Sequence, residues 1–470
     1  MDHPTGITRR ALLKGASALG AGLAVGALAG SLSGLRTASA ARRGGREPRP
    51  NIIVVMADDM RYDEARYMPN LQELLVEEGT RFGAARHNIA LCSPARAGFL
   101  TGQYSMRHRV RSQRDPFGPN NDLSKTLPVW LQAAGYHTGI IGKYFTAREG
   151  ASSPPGWDVR RQLAGESQEQ YGYEVWDGAT TLTPETDQTG YLHEEVVAFL
   201  EDAPEPFFLW FTPTANHSPF EAPPGHESAH RKVKWPDARE KDVSDKPPWI
   251  QSLSPFPDRV LRSMRRSQRL RLRELRGLDD TLAAIVETLD SNDSLDQTVI
   301  MFMSDNGTFW GEHRIPPGSK NLPYDPAVLV PCVVRGPGFS HETVRQPVQM
   351  SVDLTATCVA LAGATPDLAL DGVSLTDIAD DPEHYDDRQL LYDRDDREGF
   401  TFPPPGELPP PANGIFTRDR KLVRYAKDPP VYELYDLDAD PGELNNLADD
   451  PDYAEDRAAL EAALDELLAN

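Results

Sequence analysis

Asn51-Ile52-Ile53-Val54-Val55-Met56-Ala57-Asp58-Asp59 is an apolar run that stops abruptly on two adjacent carboxylates. A strand with no polar alternation is buried on both faces, which points to the centre of a largely parallel sheet. The same composition returns at Thr138–Gly142, Phe207–Phe211 and Thr298–Ser304. A further strand is expected over Val328–Val334, stopped by Gly336-Pro337-Gly338. Helices are expected from Met68 to about Glu78, around Tyr191–Leu200, and over 269–290, where Leu275, Leu278, Leu282, Ile285, Val286 and Leu289 share one face. Residues 351–363 read as the last helix of the large domain. The alternation predicts an α/β fold, a large mixed, mostly parallel sheet flanked by helices. Downstream, Gln389–Asp393 and Lys421–Tyr425 predict a smaller C-terminal antiparallel sheet, and a helix from about Ala454 to Leu468 ends the chain. Residues 146–190, 221–268 and the Pro-rich 403–411 lack a period and read as insertion, surface excursion and loop.

Open α/β sheets carry their sites past the C-terminal ends of the strands, and chemistry-bearing residues stand there. Asp58 and Asp59 repel each other unless a cation lies between them, although a solvated turn also uses such pairs. The run Thr298–Ser304 delivers Asp305 and Asn306, both hard oxygen donors suited to calcium. Lys143 follows Gly142, His217 follows the Phe207–Phe211 run, and Gly311-Glu312-His313 and Lys320 follow Asp305. In Cys92-Ser93-Pro94-Ala95-Arg96-Ala97-Gly98-Phe99-Leu100-Thr101-Gly102 a loop turns into a helix, with Ser93 able to cap and Pro94 suited to the first helical position. That would set Cys92 beside free backbone N–H groups, with Arg96 one turn on. Taken singly, these residues also read as a buried thiol, a surface arginine and a structural histidine.

Taken together they resemble the type I sulfatases of the alkaline-phosphatase-like superfamily, nearest the N-acetylglucosamine-6-sulfatase-like and arylsulfatase branch. The resemblance rests on the Cys92–Gly102 signature, Asp58-Asp59, Gly142-Lys143-Tyr144, His217, Asp305-Asn306, Lys320 with Tyr324, and the closing Tyr432-Glu433-Leu434-Tyr435-Asp436-Leu437 and Asp440-Pro441-Gly442. It implies that a formylglycine-generating enzyme oxidises Cys92 to formylglycine before folding, and that the hydrated aldehyde attacks sulfur. It also implies one Ca2+ held by Asp58, Asp59, residue 92, Asp305 and Asn306. Arg96, Lys143 and Lys320 would then meet the sulfuryl oxygens, and His217 would protonate the leaving oxygen. One departure stands out: many sulfatases have a histidine two residues after the lysine matched by Lys143, where this chain has Phe145. The base for sulfate elimination would then be His217, with His313 second. Val243-Ser244-Asp245-Lys246-Pro247 also resembles the glucosamine-6-sulfatase branch. The expected substrate is a sulfated sugar or an aryl sulfate. The alternatives are a phosphonate or phosphodiester hydrolase of the same superfamily, or a non-catalytic binding protein on a decayed scaffold.

Charge narrows the partners. Thr8-Arg9-Arg10-Ala11-Leu12-Leu13-Lys14 opens an apolar run ending at Ala38-Ser39-Ala40, the pattern of a twin-arginine signal cleaved before Ala41. Its removal deletes Arg9, Arg10, Lys14, Arg36 and Asp2, so the formal charge of −22 becomes about −25. That field disfavours nucleic acid and long sulfated polymers and leaves a small sulfated substrate. The expected division is a signal over 1–40, a catalytic domain over 41–380 and a C-terminal subdomain over 381–470. Export of the folded chain by the twin-arginine translocase would place it outside the cell or in the periplasm or envelope. No segment after the signal is apolar enough to span a membrane. Cys332 and Cys358 each lie in an apolar run and are expected as free buried thiols.

Overall fold

The computed structural model describes residues 49–145, 154–165, 168–233, 242–394 and 408–469. The proposed signal at 1–40, part of the insertion at 146–190 and most of the Pro-rich 403–411 lie outside those residues. Asn51–Ala57 forms β1, and every one of its residues is buried. Its side chains alternate between two cores: Ile52, Val54 and Met56 face one, Ile53, Val55 and Ala57 the other. Full burial of each such aliphatic side chain stabilises by about 1.5–3 kcal/mol. This two-sided burial is why the strand carries no polar alternation.

The large sheet has ten strands. In chain order these are β1, β2 (Thr80–Arg86), β3 (His137–Gly142), β4 (Val159–Leu163), β5 (Val175–Asp177), β6 (Thr180–Leu182), β7 (Phe207–Thr212), β8 (Thr298–Ser304), β9 (Cys332–Arg335) and β10 (Glu342–Gln349). Their spatial order is β10-β2-β9-β8-β1-β7-β3-β4-β5-β6. The centre is parallel, with β1 flanked by β7 and β8, while β9 and β5 run opposite to it and β6, paired antiparallel with β5, returns to the central direction. Helices Cys92–Thr101, Leu127–Ala133 and Val352–Ala362 feed the first core, and Gln188–Asp202 and Asp258–Ser291 the second.

Several boundaries differ from expectation. The sequence predicts insertion and loop over 146–190, yet the described part holds β4, β5 and β6. β5 and β6 are three residues each and β6 is wholly exposed, so no alternation betrays them. The strand expected from Val328 starts only at Cys332, because Asp325–Val328 is a helical turn with Pro326 in its first turn. The helix expected from 269 begins at Asp258. Its arginine-rich opening hides two contacts, Leu261 and Met264, which pack with Trp310. The helix expected over Met68–Glu78 contracts to a π-helical Leu71–Val76. Cys332 and Cys358 are free and buried, as expected.

The four-stranded antiparallel sheet comprises β11 (Leu390–Arg394), β12 (Ala412–Phe416), β13 (Arg420–Tyr425) and β14 (Val431–Asp436) in that spatial order. Helix Ala454–Ala469 covers one face through Leu464 against Leu391, Ile415, Leu422 and Leu434. The other face meets the large domain through a buried polar junction. Glu433 accepts hydrogen bonds from the hydroxyls of Tyr324 (2.7 Å), Tyr425 (2.6 Å) and Tyr435 (2.6 Å). Beside it Lys421 binds Asp325 at 2.7 Å and also Glu443, while Arg86 grips Asp325 at 2.9 and 2.8 Å.

Candidate active site

Strand register gathers the residues that the sequence scatters. Ala57 pairs with Ser304, Val55 with Phe211 and Gly142 with Thr212, so the segments leaving β1, β8, β7 and β3 emerge side by side. Gly142 has φ of +112°, and a Cβ there would lie 2.1 Å from the Thr212 carbonyl oxygen. Only glycine can bring the chain past that carbonyl to Lys143.

The carboxylates of Asp58, Asp59 and Asp305 and the sulfur of Cys92 each offer one ligand atom, all within 4.8 Å of one another. All four residues are buried. Cys92 Sγ lies 3.3 Å from Asp58 Oδ1, 3.7 Å from Asp59 Oδ1 and 3.1 Å from Lys320 Nζ. Lys320 Nζ donates to Asp59 Oδ1 at 2.6 Å, and Lys143 Nζ donates to Asp58 Oδ2. Arg96 forks onto Asp305 Oδ2 with Nε at 3.0 Å and Nη2 at 2.8 Å, and its Nη1 donates to the Lys143 carbonyl at 2.6 Å. His217 Nε2 is 3.6 Å from Asp59 Oδ2, while its Nδ1 lies 2.8 Å from the Ser218 carbonyl. The structure therefore brings together Asp58, Asp59, Cys92, Arg96, Lys143, His217, Asp305, Asn306 and Lys320, but not His313.

Burial penalises the charge on Asp58, but Lys143, His217, Arg96 and Lys320 outweigh it and hold the carboxyl well below its ordinary range. Asp59 is likewise held low, with burial opposed by Lys320 and His217. Burial, reinforced by the charge on Asp58, pushes the Asp305 carboxyl up despite Arg96. Burial and then Asp305 and Asp58 push the Cys92 thiol far up, so the cysteine is a poor nucleophile as it stands. Lys320 is kept protonated by Asp59, Cys92 and Asp58 against its burial.

The donor set fits a hard divalent cation. Asn306 Nδ2 donates to Asp59 Oδ1 (2.6 Å) and to the Gly307 carbonyl (2.8 Å), which leaves Asn306 Oδ1 buried without a hydrogen-bond partner. An orphaned amide oxygen beside three carboxylates is a cost unless a cation takes it.

Two expectations are corrected at the nucleophile helix. It starts at Cys92 itself, with Leu91 at the N-cap and no side-chain cap, so Ser93 does not cap and Pro94 is not its first residue. The Ser93 N–H donates to Gln113 Oε1 at 2.8 Å rather than standing free. Phe145 leaves the site altogether: it is buried against Phe117, ring centroids 4.7 Å apart. His313 stacks on Tyr324, ring centroids 4.2 Å apart.

One supporting group escapes a reading of the sequence. Glu64 grips Arg271 through Nε–Oε1 at 3.0 Å and Nη2–Oε2 at 2.9 Å, and Arg271 Nη2 donates to the Asp59 carbonyl at 2.9 Å. Arg271 Nη1 donates to the Asn216 carbonyl at 3.2 Å, and Asn216 Nδ2 to Glu64 Oε2 at 2.7 Å. The clamp holds Asp59 at φ +62°, a left-handed conformation that costs free energy for a non-glycine residue. Gln268, Arg271, Leu275 and Leu278 recur at helical spacing on one buried face. A charge on that stripe is the available signal.

A family model described as "Sulfatase" matches residues 50–364, and one described as "N-sulphoglucosamine sulphohydrolase, C-terminal" matches 311–470. The chain is 29% identical over 503 residues to an arylsulfatase of Volvox carteri, covering 90% of this chain and 74% of that protein. It is 28% identical to the N-acetylglucosamine-6-sulfatase of Capra hircus, covering 87% and 81%. The solved structure of BT4656 with D-glucosamine-2-N,6-O-disulfate superposes with a TM-score of 0.72 at 22% identity over 89% of this chain and 97% of that one, a likeness of fold. With a model that spans well over half the chain and sulfatases among its relatives, the protein belongs to the sulfatase family and is a sulfuric ester hydrolase.

Proposed function

We propose that the chain hydrolyses a small sulfate monoester, a sulfated sugar or an aryl sulfate, with residue 92 as nucleophile in its formylglycine form. The observation that carries this reading is the seat of Cys92: a buried sulfur within hydrogen-bonding reach of Asp58 and Lys320 beside a hard-oxygen donor set. Calcium prefers oxygen to sulfur, and a thiol pushed up by burial and carboxylates cannot supply a thiolate. An oxygen-bearing residue at 92 removes both conflicts. Formylglycine supplies a hydrated aldehyde with two hydroxyls, one to attack sulfur and one to expel sulfate. Asp58, Asp59, Asp305 and Asn306, with residue 92, would hold the Ca2+, which lowers the pKa of bound hydroxyls and polarises ester oxygens when present.

The chain's own residues do the rest. Lys143, Lys320 and Arg96 set positive charge around residue 92, where they bind the sulfuryl oxygens and stabilise charge as it develops. His217 is half-buried, with Nδ1 turned to the Ser218 carbonyl, so Nε2 is the nitrogen that faces the site and can protonate the leaving alcohol. With Phe145 packed in the core, His217 is also the proposed base for sulfate release. The strongly acidic surface keeps long sulfated polymers away and favours small substrates. The division at 40/41 and 380/381, calcium as the ion, maturation by a formylglycine-generating enzyme and twin-arginine export belong to the same proposal. Extracellular sulfatases stand among the relatives, one from Drosophila melanogaster of which this chain spans only 31%. No helix among the described residues is long and apolar enough to cross a membrane.

Mass spectrometry of the peptide containing residue 92 tests the reading, together with parallel turnover of an aryl sulfate and a phosphodiester. The peptide is expected lighter than its cysteine form by the thiol-to-aldehyde difference, the sulfate is expected to turn over faster, and Cys92→Ala is expected to lose turnover. An unmodified cysteine in a fully active preparation would overturn it.

A further inference from the structure

A second cavity, of about 280 Å³, lies apart from the carboxylate cluster, between the turn Tyr62–Tyr67, the helix Leu71–Val76 and strands β2 and β9. One wall is apolar, formed by Val76, Pro331 and Val333. The lining also includes Arg66 and Arg81. Arg81 is half-buried, donates to the Tyr62 hydroxyl and lies 5.3 Å from the centre of that ring. Among the described residues no carboxylate lies within ion-pair distance of Arg81. The one acid in the lining, Asp63, is already taken by Arg61 at 2.9 and 3.2 Å. The cavity thus offers an apolar surface, a tyrosine ring and the Arg81 guanidinium, with no carboxylate of the described residues paired to it, in a chain of formal charge −22.

Its wall and the clamp of the active site are one element. Glu64 stands between Asp63 and Ala65 on the turn that lines the cavity, and its carboxylate holds Arg271, which in turn holds the Asp59 carbonyl. A shift of that turn would change how Glu64 meets Arg271, and with it the support of the left-handed backbone at Asp59.

We propose that this cavity is an effector site for a small organic anion, one sulfonate, sulfate or carboxylate on an aromatic or short aliphatic body, whose binding is felt at Asp59 through Glu64 and Arg271. The site is separate from the sulfate-binding centre and does not depend on the state of residue 92. The test is calorimetric titration of the mature full-length protein with naphthalene-1-sulfonate, which has no ester to hydrolyse. Inorganic sulfate serves as the arm lacking an apolar body. Arg81→Ala removes the charge, and Val76→Trp fills the space. Each is expected to weaken naphthalene-1-sulfonate binding about tenfold or more, while inorganic sulfate binding, which belongs to the catalytic centre, stays unchanged. In turnover assays with an aryl sulfate, saturating probe is expected to change kcat at least about twofold in the wild type and not in Val76→Trp. Equal probe affinity in the wild type and both variants would overturn the proposal. So would purely competitive inhibition that is the same in wild type and Val76→Trp.

Discussion

Two buried charged clusters lie in this molecule, and they are built on opposite terms. At the junction of the two sheets, each carboxylate oxygen of Asp325, Glu433 and Glu443 has a donor: Arg86 and Lys421 for Asp325, tyrosine hydroxyls for Glu433, Lys421 and the Asp325 N–H for Glu443. At the strand ends, two acids are adjacent in sequence, a third is pushed up by burial and by their charge, and Asn306 Oδ1 has no partner. At the junction every carboxylate acceptor is satisfied, though Arg86 Nη1 has no partner, and such a network rigidifies and joins, whereas an orphaned acceptor among carboxylates keeps binding capacity in reserve at a cost in stability. The first cluster joins the C-terminal sheet to the large domain; the second is the candidate site.

The largest expected effect separates them by activity. Asp58→Asn keeps the side chain's shape and can still accept from Lys143, but it removes a charge from the proposed donor set of the cation. Turnover should fall on the order of 10³-fold, with bound cation lost by metal analysis. If Asp58→Asn kept full turnover, the strand-end cluster would be no different in kind from the junction.

The converse variant is Glu433→Leu. It orphans the buried hydroxyls of Tyr324, Tyr425 and Tyr435, each at about 1–3 kcal/mol, so urea unfolding should show a loss of about 3 kcal/mol or more. Turnover per folded molecule should stay within about twofold of wild type, since Glu433 touches no residue of the site. A stable but inactive Glu433→Leu would erase the distinction.

A smaller effect probes the orphaned oxygen itself. A cation that binds only the folded chain raises its stability by RT ln(1 + [L]/Kd), about 2.7 kcal/mol at a hundredfold excess over Kd. Added calcium should therefore raise the unfolding temperature of the wild type by a few degrees. Asn306→Ala should lose most of that rise while unfolding near the wild-type temperature in chelator. An undiminished calcium response would remove Asn306 from the donor set.

These clusters are unequally legible in the sequence. β1, β3, β7 and β8 announce themselves because burial on both faces leaves continuous apolar runs, and the site residues directly follow those runs. Their places mark Asp58, Asp59, Asp305 and Asn306 as candidate oxygen donors, while the resemblance decides for the Asp58-Asp59 pair and adds Lys143, Cys92, Arg96, His217 and Lys320. The clamp cannot be read this way: Arg271 is one of many arginines on a long helix, and only packing decides that it points inward while Arg273 and Arg276 remain partly exposed. At Phe145 the two readings agree: the residue that stands where many sulfatases have a histidine can move no proton, and its ring stacks in the core. The Glu433 junction is visible only as a motif, since tyrosines from three separate segments converge on it by tertiary packing alone.

The smallest effect concerns acid. Arg86 and Lys421 overcome burial and hold the Asp325 carboxyl well below its ordinary value of 3.8. A carboxyl that is more acidic in the folded than in the unfolded state stabilises fully above the unfolded value, and that stability is lost as pH falls towards the folded one. In that window the unfolded chain binds the proton first, so folding weakens with each step down in pH. Asp325→Asn lacks this linkage. Its urea midpoint should lie below that of the wild type by a constant amount at neutral pH, and the gap should narrow progressively below about pH 4. Metal-free Asp58→Asn should show the same narrowing, since Asp58 is held low by the same kind of neighbours. With calcium added, Asp58 should no longer track Asp325, because protons and the cation then compete for one carboxylate and the wild type loses the ion's stabilisation as well. A gap that stays constant down to about pH 2 for Asp325→Asn would mean that its ion pairs contribute nothing linked to protonation, and the junction would then owe its strength to the Glu433 hydroxyls alone.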